Sequence, residues 1–222
     1  MKEKIDFEKC SKELYSAVIS DVLDDLGVYD HTISLDFKPL RNNNHLFGIL
    51  RTIEFVNVED VNKEQISGNP YTLTIKFFDS LKPHEVPFVF ARDLKSGVMG
   101  ELLSTRAKFN GSPGAIVVGS IRDRDRIPDD FNIFFSEPPN PNDAKGRIEA
   151  RSIDSEIRWK NIVIRPKDYI YGDSDGVVII PQNLVAEVLT RAFKKRNKEI
   201  EIKSLLSKGV SLEDVWKKYN IL

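Results

Sequence analysis

An α/β fold is the class this sequence predicts, and three stretches carry the prediction. "EVPFVFARD" (85–93) and "GAIVVGSI" (114–121) are short apolar runs, the first ending in charge and the second leading into it. That is how buried parallel strands deliver loops at their carboxyl ends. Between them, "ELLSTRAKFNG" places Leu102, Leu103 and Ala107 on one apolar face before Gly111 ends the helix. Strand, helix, strand over residues 86–121 is a parallel βαβ unit.

The other elements follow in order. "CSKELYSAVISDVLDDLG" (10–27) repeats Leu14, Val18, Val22 and Ile19, Leu23, Leu26 at helical spacing, with Gly27 as a stop. "LFGILRTIEFVNV" (46–58) is rich in β-branched and aromatic residues and predicts a strand or hairpin, and "YTLTIKFFDSL" (71–81) has the same look. The polar stretch 59–70 between them predicts a loop. "EPPNPND" (137–143) is a proline-rich turn with no room for regular structure, and residues 157–181 read as β-rich, ending in the strand "GVVIIP". From Leu184 the pattern is helical, and "SLEDVWKKY" (211–219) predicts a short helix capped by Ser211 and Asp214. The 222 residues suit a single domain, 1–222, with an N-terminal helix and a C-terminal helical extension.

Composition narrows the function. With 41% hydrophobic and 30% charged residues the chain can bury a core, and a net charge of -1 gives no footprint for nucleic acid. Cys10 is the one cysteine, which excludes an intrachain disulfide and a cysteine-based zinc site; it reads as an inert thiol. No run approaches the ~20 apolar residues of a membrane span, and the N-terminal stretch lacks the apolar core of a signal peptide. A cytoplasmic location without a membrane partner is the expectation.

The familiar catalytic signatures are absent: no G-x-S-x-G elbow, P-loop, H-E-x-x-H or G-x-G-x-x-G. His31, His45 and His84 are too scattered to suggest a metal cluster, which leaves carboxylate and hard-metal chemistry. The two loops after the predicted parallel strands are then the candidate site, because ligands collect at the carboxyl ends of strands in such sheets. In "LKSGVMGELL", Gly97 and Gly100 allow close backbone approach, and Glu101 opens a helix whose free N–H groups can hold an anion. In "RDRDR", Arg122 offers a planar fork for a carboxylate and Asp123 an oxygen for a divalent cation. Both loops also read as plain turns, the second as a solvated one. Asp173 and Asp175 in "YGDSDGVVIIP" read as a tight turn or as an acidic metal loop. Trp159 and Trp216 read as core or interface aromatics, and Glu199 and Glu201 as surface charges.

The stretches "VISDVLDDLG", "GELLSTRAKFNGSPGAIVVGSIRD" and "GDSDGVVIIP", with the charged C-terminal helix, resemble the RraA-like family over most of the chain. That family includes the regulator of ribonuclease E activity and the class II 4-hydroxy-4-methyl-2-oxoglutarate aldolases, which also decarboxylate oxaloacetate. The most specific element is a spacing: an acid, twenty residues, Arg-Asp, two residues, then another acid. Glu101, residues 102–121 and Arg122-Asp123 match its first part, whereas Arg126 stands where the last acid belongs, with Asp125 one place early. Lys167 likewise stands where the family commonly has glycine.

The resemblance implies an α/β/α sandwich of the swivelling β/β/α type, assembled as a homotrimer or dimer of trimers. It implies that Asp123 binds Mg²⁺ or Mn²⁺, that Glu101 holds metal-bound waters, and that Arg122 pairs with the carboxylate of a 2-oxo acid. Backbone groups around Gly100, Leu102 and Leu103 assist, and a glutamate from a neighbouring subunit completes the site, with Glu199 matching best and Glu201 next. The activity implied is a metal-dependent lyase, aldolase or decarboxylase, giving pyruvate; the metal stabilises the enolate formed as the carbon–carbon bond breaks. The rival is a non-catalytic regulator that binds a ribonuclease or another protein, which Arg126 favours. A methyltransferase finds no glycine-rich loop to support it. Segments 57–70 and 128–147 are expected to shape recognition of the substrate's tail.

Overall fold

Strands form where β-branched and aromatic residues cluster, and helices where apolar residues recur every three or four positions. The computed structural model describes residues 5–33, 37–41, 45–60 and 71–220. Its helices are α1 (Phe7–Glu13), α2 (Ser16–Asp25), α3 (Thr72–Asp79), α4 (Glu101–Phe109), α5 (Val185–Leu206) and α6 (Leu212–Tyr219). Its strands begin with β1 (Thr32–Ile33), β2 (Lys38–Pro39), β3 (Leu46–Asn57), β4 (Glu85–Phe90), β5 (Gly97–Met99), β6 (Gly114–Val118) and β7 (Ser120–Ile121). They continue with β8 (Asn132–Phe135), β9 (Ile148–Ile153), β10 (Ile157–Trp159), β11 (Ile162–Ile164), β12 (Tyr169–Asp173) and β13 (Gly176–Ile180).

The main sheet runs β1-β13-β12-β3-β4-β6-β8-β2, with β9 also paired to β3. The β3–β4, β4–β6 and β6–β8 pairs are parallel and the rest antiparallel. The expected β4–α4–β6 unit is therefore present. Alternation along each strand sends side chains to opposite faces. Ile53, Val89 and Val117 lie side by side under α3 and α4, and Phe47, Tyr171 and Val178 continue the same face under α1, α2 and α5. Leu50, Val86, Phe88 and Ile116 face the other way, onto Ile157, Trp159, Ile162 and Ile164 of the β10–β11 hairpin. The layers are thus helices, sheet, hairpin, the swivelling β/β/α order, with the hairpin where a second helical layer of a sandwich would lie.

Two local expectations change. Residues 71–81 form a helix, α3, and not a strand: Leu73, Ile75 and Phe77 alternate, but burying Thr74, Phe77 and Phe78 on one helical face against the core outweighs that local preference. The first helix breaks at Leu14 and Tyr15, which are extended. Partners from β12 replace the lost helical hydrogen bonds there. The Tyr171 hydroxyl donates to the Leu14 carbonyl, and the Asp173 carboxylate accepts from the Ser16 N–H and hydroxyl at 2.7 Å each. Asp173 is buried in this role, and the turn to Gly176 joins β12 to β13 as a hairpin. The proline-rich turn 137–143 lacks regular structure as expected, with β8 before it and β9 after it.

Trp159 is in the core, whereas Trp216 on α6 is exposed, and Cys10 is buried, its thiol pushed up to about 11 by burial and the nearby Asp6. Among the described residues, no helix is long and apolar enough to cross a membrane.

Candidate active site

Two very short strands build the site. β5 and β7 pair in parallel, Gly97 beside Ser120 and Met99 beside Ile121, so the residues that follow each strand emerge together. The Arg122 N–H donates to the Met99 carbonyl at 2.9 Å, which fixes Arg122-Asp123 against Gly100-Glu101. Twenty residues of helix and strand separate Glu101 from Arg122 in sequence; the β5–β7 register removes that separation in space.

Gly100 is the N-cap of α4 and makes no side-chain capping bond, so the first N–H groups of the helix point onward without a cap. Asp123 adopts the left-handed conformation, φ 55°, which starts a 3-10 turn through Arg126; aspartate tolerates it better than most residues. The turn lays the Asp123 carboxylate over Gly100. A Cβ on Gly100 would stand 2.6 Å from Asp123 Oδ2 and 2.9 Å from Arg122 Cγ, so the close approach requires glycine.

The guanidinium of Arg122 is held on two sides, with Nε 3.4 Å from Asp123 Oδ2 and Nη1 3.1 Å from Asp143 Oδ1. Asp143 also accepts the Tyr71 hydroxyl, at 3.0 and 3.1 Å to its two oxygens, and the Ala144 N–H at 2.9 Å. Burial opposes ionisation of Asp143, but the Tyr71 hydroxyl, the Ala144 N–H and the Arg122 charge outweigh it and hold the carboxyl below its ordinary range. The Tyr71 phenol is pushed up by burial and by its bond to Asp143.

These groups line a cavity of about 820 Å³ that also includes Leu102, Leu103 and Arg126. Among the described residues that line it, three carboxylates, Glu101, Asp123 and Asp143, stand against two guanidiniums, Arg122 and Arg126. Arg126, largely exposed, approaches Glu101 at 3.7 Å, in the place where an acid was expected from the family pattern. Arg122, Asp123 and Arg126 line the cavity whereas Arg124 and Asp125 do not, so "RDRDR" divides between the candidate site and an exposed turn.

Glu199 is on α5, half-buried, with its carboxyl pushed up by burial, and it does not line this cavity within one chain. Glu201 is engaged by the Tyr219 hydroxyl of its own α6 at 2.6 Å. Asp143 and Tyr71 escaped the sequence reading: Tyr71 was placed in a strand, and Asp143 sits in a turn read only for its prolines. The one available signal was that segment 128–147 was expected near the substrate. Of segment 57–70, residues 61–70 lie outside the described residues.

A family model described as RraA-like, Aldolase/RraA, matches residues 16–179. The chain belongs to the RraA-like family. It is 26% identical to the protein DlpA of Legionella pneumophila over 205 residues, covering 92% of this chain and 32% of that one. The chain thus spans about a third of DlpA's length. It is 30% identical to a Halalkalibacterium halodurans protein named "Putative 4-hydroxy-4-methyl-2-oxoglutarate aldolase", over 87% of this chain and 85% of the relative. Among solved RraA-like structures, a Streptomyces coelicolor protein described as an unusual member of the RNase ES inhibitor RraA family superposes with a TM-score of 0.75. Its identity is 23%, covering 90% of this chain and 98% of that one, so it supports the fold.

Proposed function

We propose that this RraA-like protein is a divalent-metal-dependent carbon–carbon lyase. It cleaves a 4-hydroxy-2-oxo acid by a retro-aldol reaction, or decarboxylates a β-keto acid such as oxaloacetate, and releases pyruvate. The observation that carries this reading is the meeting of Glu101 with Arg122-Asp123 at the ends of the paired strands β5 and β7. The name of the Halalkalibacterium halodurans relative supports it.

The donor set suits one kind of metal site. Among the described residues, no three His, Cys, Asp or Glu side chains are grouped to hold an ion. Mg²⁺ and Mn²⁺ suit a sparser set, because they accept one or two carboxylates with water and substrate oxygens completing the shell. Asp123 would hold the ion and Glu101 its waters. When bound, the ion supplies positive charge beside the 2-oxo oxygen.

The chain's own groups do the rest. Arg122 receives the substrate carboxylate on its fork, while the first N–H groups of α4, at Leu102 and Leu103, take further negative charge. In decarboxylation the C3–C4 bond breaks, CO₂ leaves, its electron pair forms the enolate of pyruvate, and C3 then takes a proton from water. In the retro-aldol reaction the C4 hydroxyl loses its proton as C4 becomes the carbonyl carbon of the second product. Glu199 from a neighbouring subunit is the expected acceptor of that proton, in a homotrimer or dimer of trimers.

The experiment is pyruvate release from oxaloacetate with Mg²⁺ or Mn²⁺, against EDTA and against the same metal without protein. The expected result is release at least tenfold above the metal-only rate, lost in EDTA. No excess over the metal-only rate would pass the lead to the second reading, a non-catalytic protein-binding regulator. The contact of Arg126 with Glu101 favours that reading, because it sets a guanidinium against a carboxylate assigned to the metal's waters.

Asp143 is a positioning residue in the first reading. Changing Asp143 to Asn removes its charge pair with Arg122 and is expected to raise KM about tenfold while kcat stays within about threefold. The pH dependence has a definite sign. Because the folded carboxyl lies below its ordinary value, its hold on Arg122 is complete above the unfolded pKa of about 4 and is lost only as pH falls through the lower folded value. The Asp143–Arg122 pair is therefore expected to add no pH dependence from neutral pH down to about 4, so the ratio of KM in Asp143→Asn to KM in the native protein should stay constant over that range.

A further inference from the structure

We infer that the retro-aldol substrate is a 4-hydroxy-2-oxo acid whose far end is a bulky apolar group, seated against α3 and the end of β3, and not a second carboxylate; oxaloacetate, as the decarboxylation substrate, would occupy only the charged end. This rests on the lyase reading above and specifies the substrate class for the same site.

Size is the first argument. A cavity of about 820 Å³ falls toward the upper part of the roughly 300–1,000 Å³ found for sites that enclose drug-sized ligands. A four-carbon acid bound at Arg122 and Asp123 leaves most of that single-chain space for a longer ligand and for the neighbouring subunit's Glu199.

The distribution of charge is the second. Among the described residues that line the cavity, the five ionised side chains come from α4, from the turn after β7 and from the loop that follows β8. A second part of the wall comes from β3, α3 and the residue before it: Phe55, Tyr71, Thr74 and Ile75, none of them ionised. Tyr71 directs its hydroxyl to Asp143, back toward the charged end, so its ring is what the wall presents. A second carboxylate at the far end of a ligand would meet no cation among the described residues lining that wall.

Ile75 is the third. Its helix buries Thr74, Phe77 and Phe78, yet Ile75 remains 49% exposed while lining the cavity. An isolated exposed aliphatic residue means little, but one set in a concave wall beside a phenylalanine and a tyrosine ring is a surface for an apolar ligand. Leu103, partly buried on α4, faces the same space.

Two ligands with the same head separate the possibilities. 2-Oxo-4-phenylbutanoate carries a phenyl ring where 2-oxoglutarate carries its second carboxylate. Calorimetric binding of each, in the presence of Mg²⁺, is expected to favour the phenyl compound by at least about tenfold. Ile75→Asp is expected to abolish that preference, and Ile75→Ala to reduce it, while pyruvate binding stays within about twofold in both. Exposure of Ile75 makes both variants compatible with folding, which a thermal melt checks. Equal or tighter binding of 2-oxoglutarate, no binding of either compound, or an equal loss for both in Ile75→Asp would overturn the inference. So would a change in sedimentation of Ile75→Asp with its preference intact, since the wall would then serve contact between copies of the chain. Failure of the lyase reading shows separately, as absence of pyruvate release from oxaloacetate with the binding preference intact.

Discussion

Replacing Asp123 by alanine is expected to reduce metal-stimulated pyruvate release to the rate of metal alone, a loss of at least about tenfold, with little change in melting temperature. The two halves of that expectation have different causes. The Asp123 side chain is 38% exposed and fills no core space, so removing it creates no cavity. Its backbone is left-handed at φ 55°, which alanine tolerates less well than aspartate, so a small stability loss is allowed for. Asp123→Asn controls for this, because asparagine accepts the same conformation and keeps the side chain's shape while losing the charge. If Asp123→Asn falls as far as Asp123→Ala, the carboxylate charge is what the reaction needs. If Asp123→Asn keeps full metal-stimulated activity, Asp123 is a turn residue and the assignment of the metal to it is wrong.

The parts of the site legible in the sequence were those that depend on local pattern. Glu101 and Arg122-Asp123 were readable because each follows an apolar run, and the ends of parallel strands are where such sheets place ligands. Gly100 was readable as a point of close approach, though not what approaches it. What was hidden depended on contacts between distant segments. Asp143 reaches Arg122 because its loop lies against both short strands: the Gly97 N–H donates to the Asn142 carbonyl at 3.1 Å and the Asn140 N–H to the Ile121 carbonyl at 2.9 Å. No feature of "EPPNPND" announces those partners. α3 was misread for a related reason, since its alternating Leu73, Ile75 and Phe77 satisfy a strand pattern until packing of Phe77 and Phe78 under the sheet decides the matter. The break at Leu14 and Tyr15 belongs to the same class, imposed by Tyr171 and Asp173, over 150 residues away.

Gly100→Ala is expected to lower kcat/KM by about 10²-fold while leaving the fold intact, a larger effect than its single methyl group suggests. The backbone at Gly100 is extended, φ -149° and ψ -159°, which any residue adopts, so the substitution stores no conformational strain. Nor does it remove a side-chain cap, because glycine makes none; the stability cost is of the order of a kcal/mol or less. The methyl group does, however, fall 2.6 Å from Asp123 Oδ2 and 2.9 Å from Arg122 Cγ. The exposed Asp123 carboxylate can swing away, but Arg122 has less freedom. Its N–H is fixed to Met99 and its guanidinium to Asp143, so the middle of its side chain must bend between two anchors. Both groups that handle the substrate's negative charge and the metal are then displaced, and errors near 1 Å at a reacting centre cost about two orders of magnitude. Metal affinity should weaken together with kcat/KM, since Asp123 moves too, and titration of Mn²⁺ followed by its paramagnetic effect on water relaxation would show it. A variant with unchanged Mn²⁺ binding and activity within twofold of the native protein would mean that Arg122 and Asp123 do not work from above Gly100, and the site would have to be sought elsewhere on the chain.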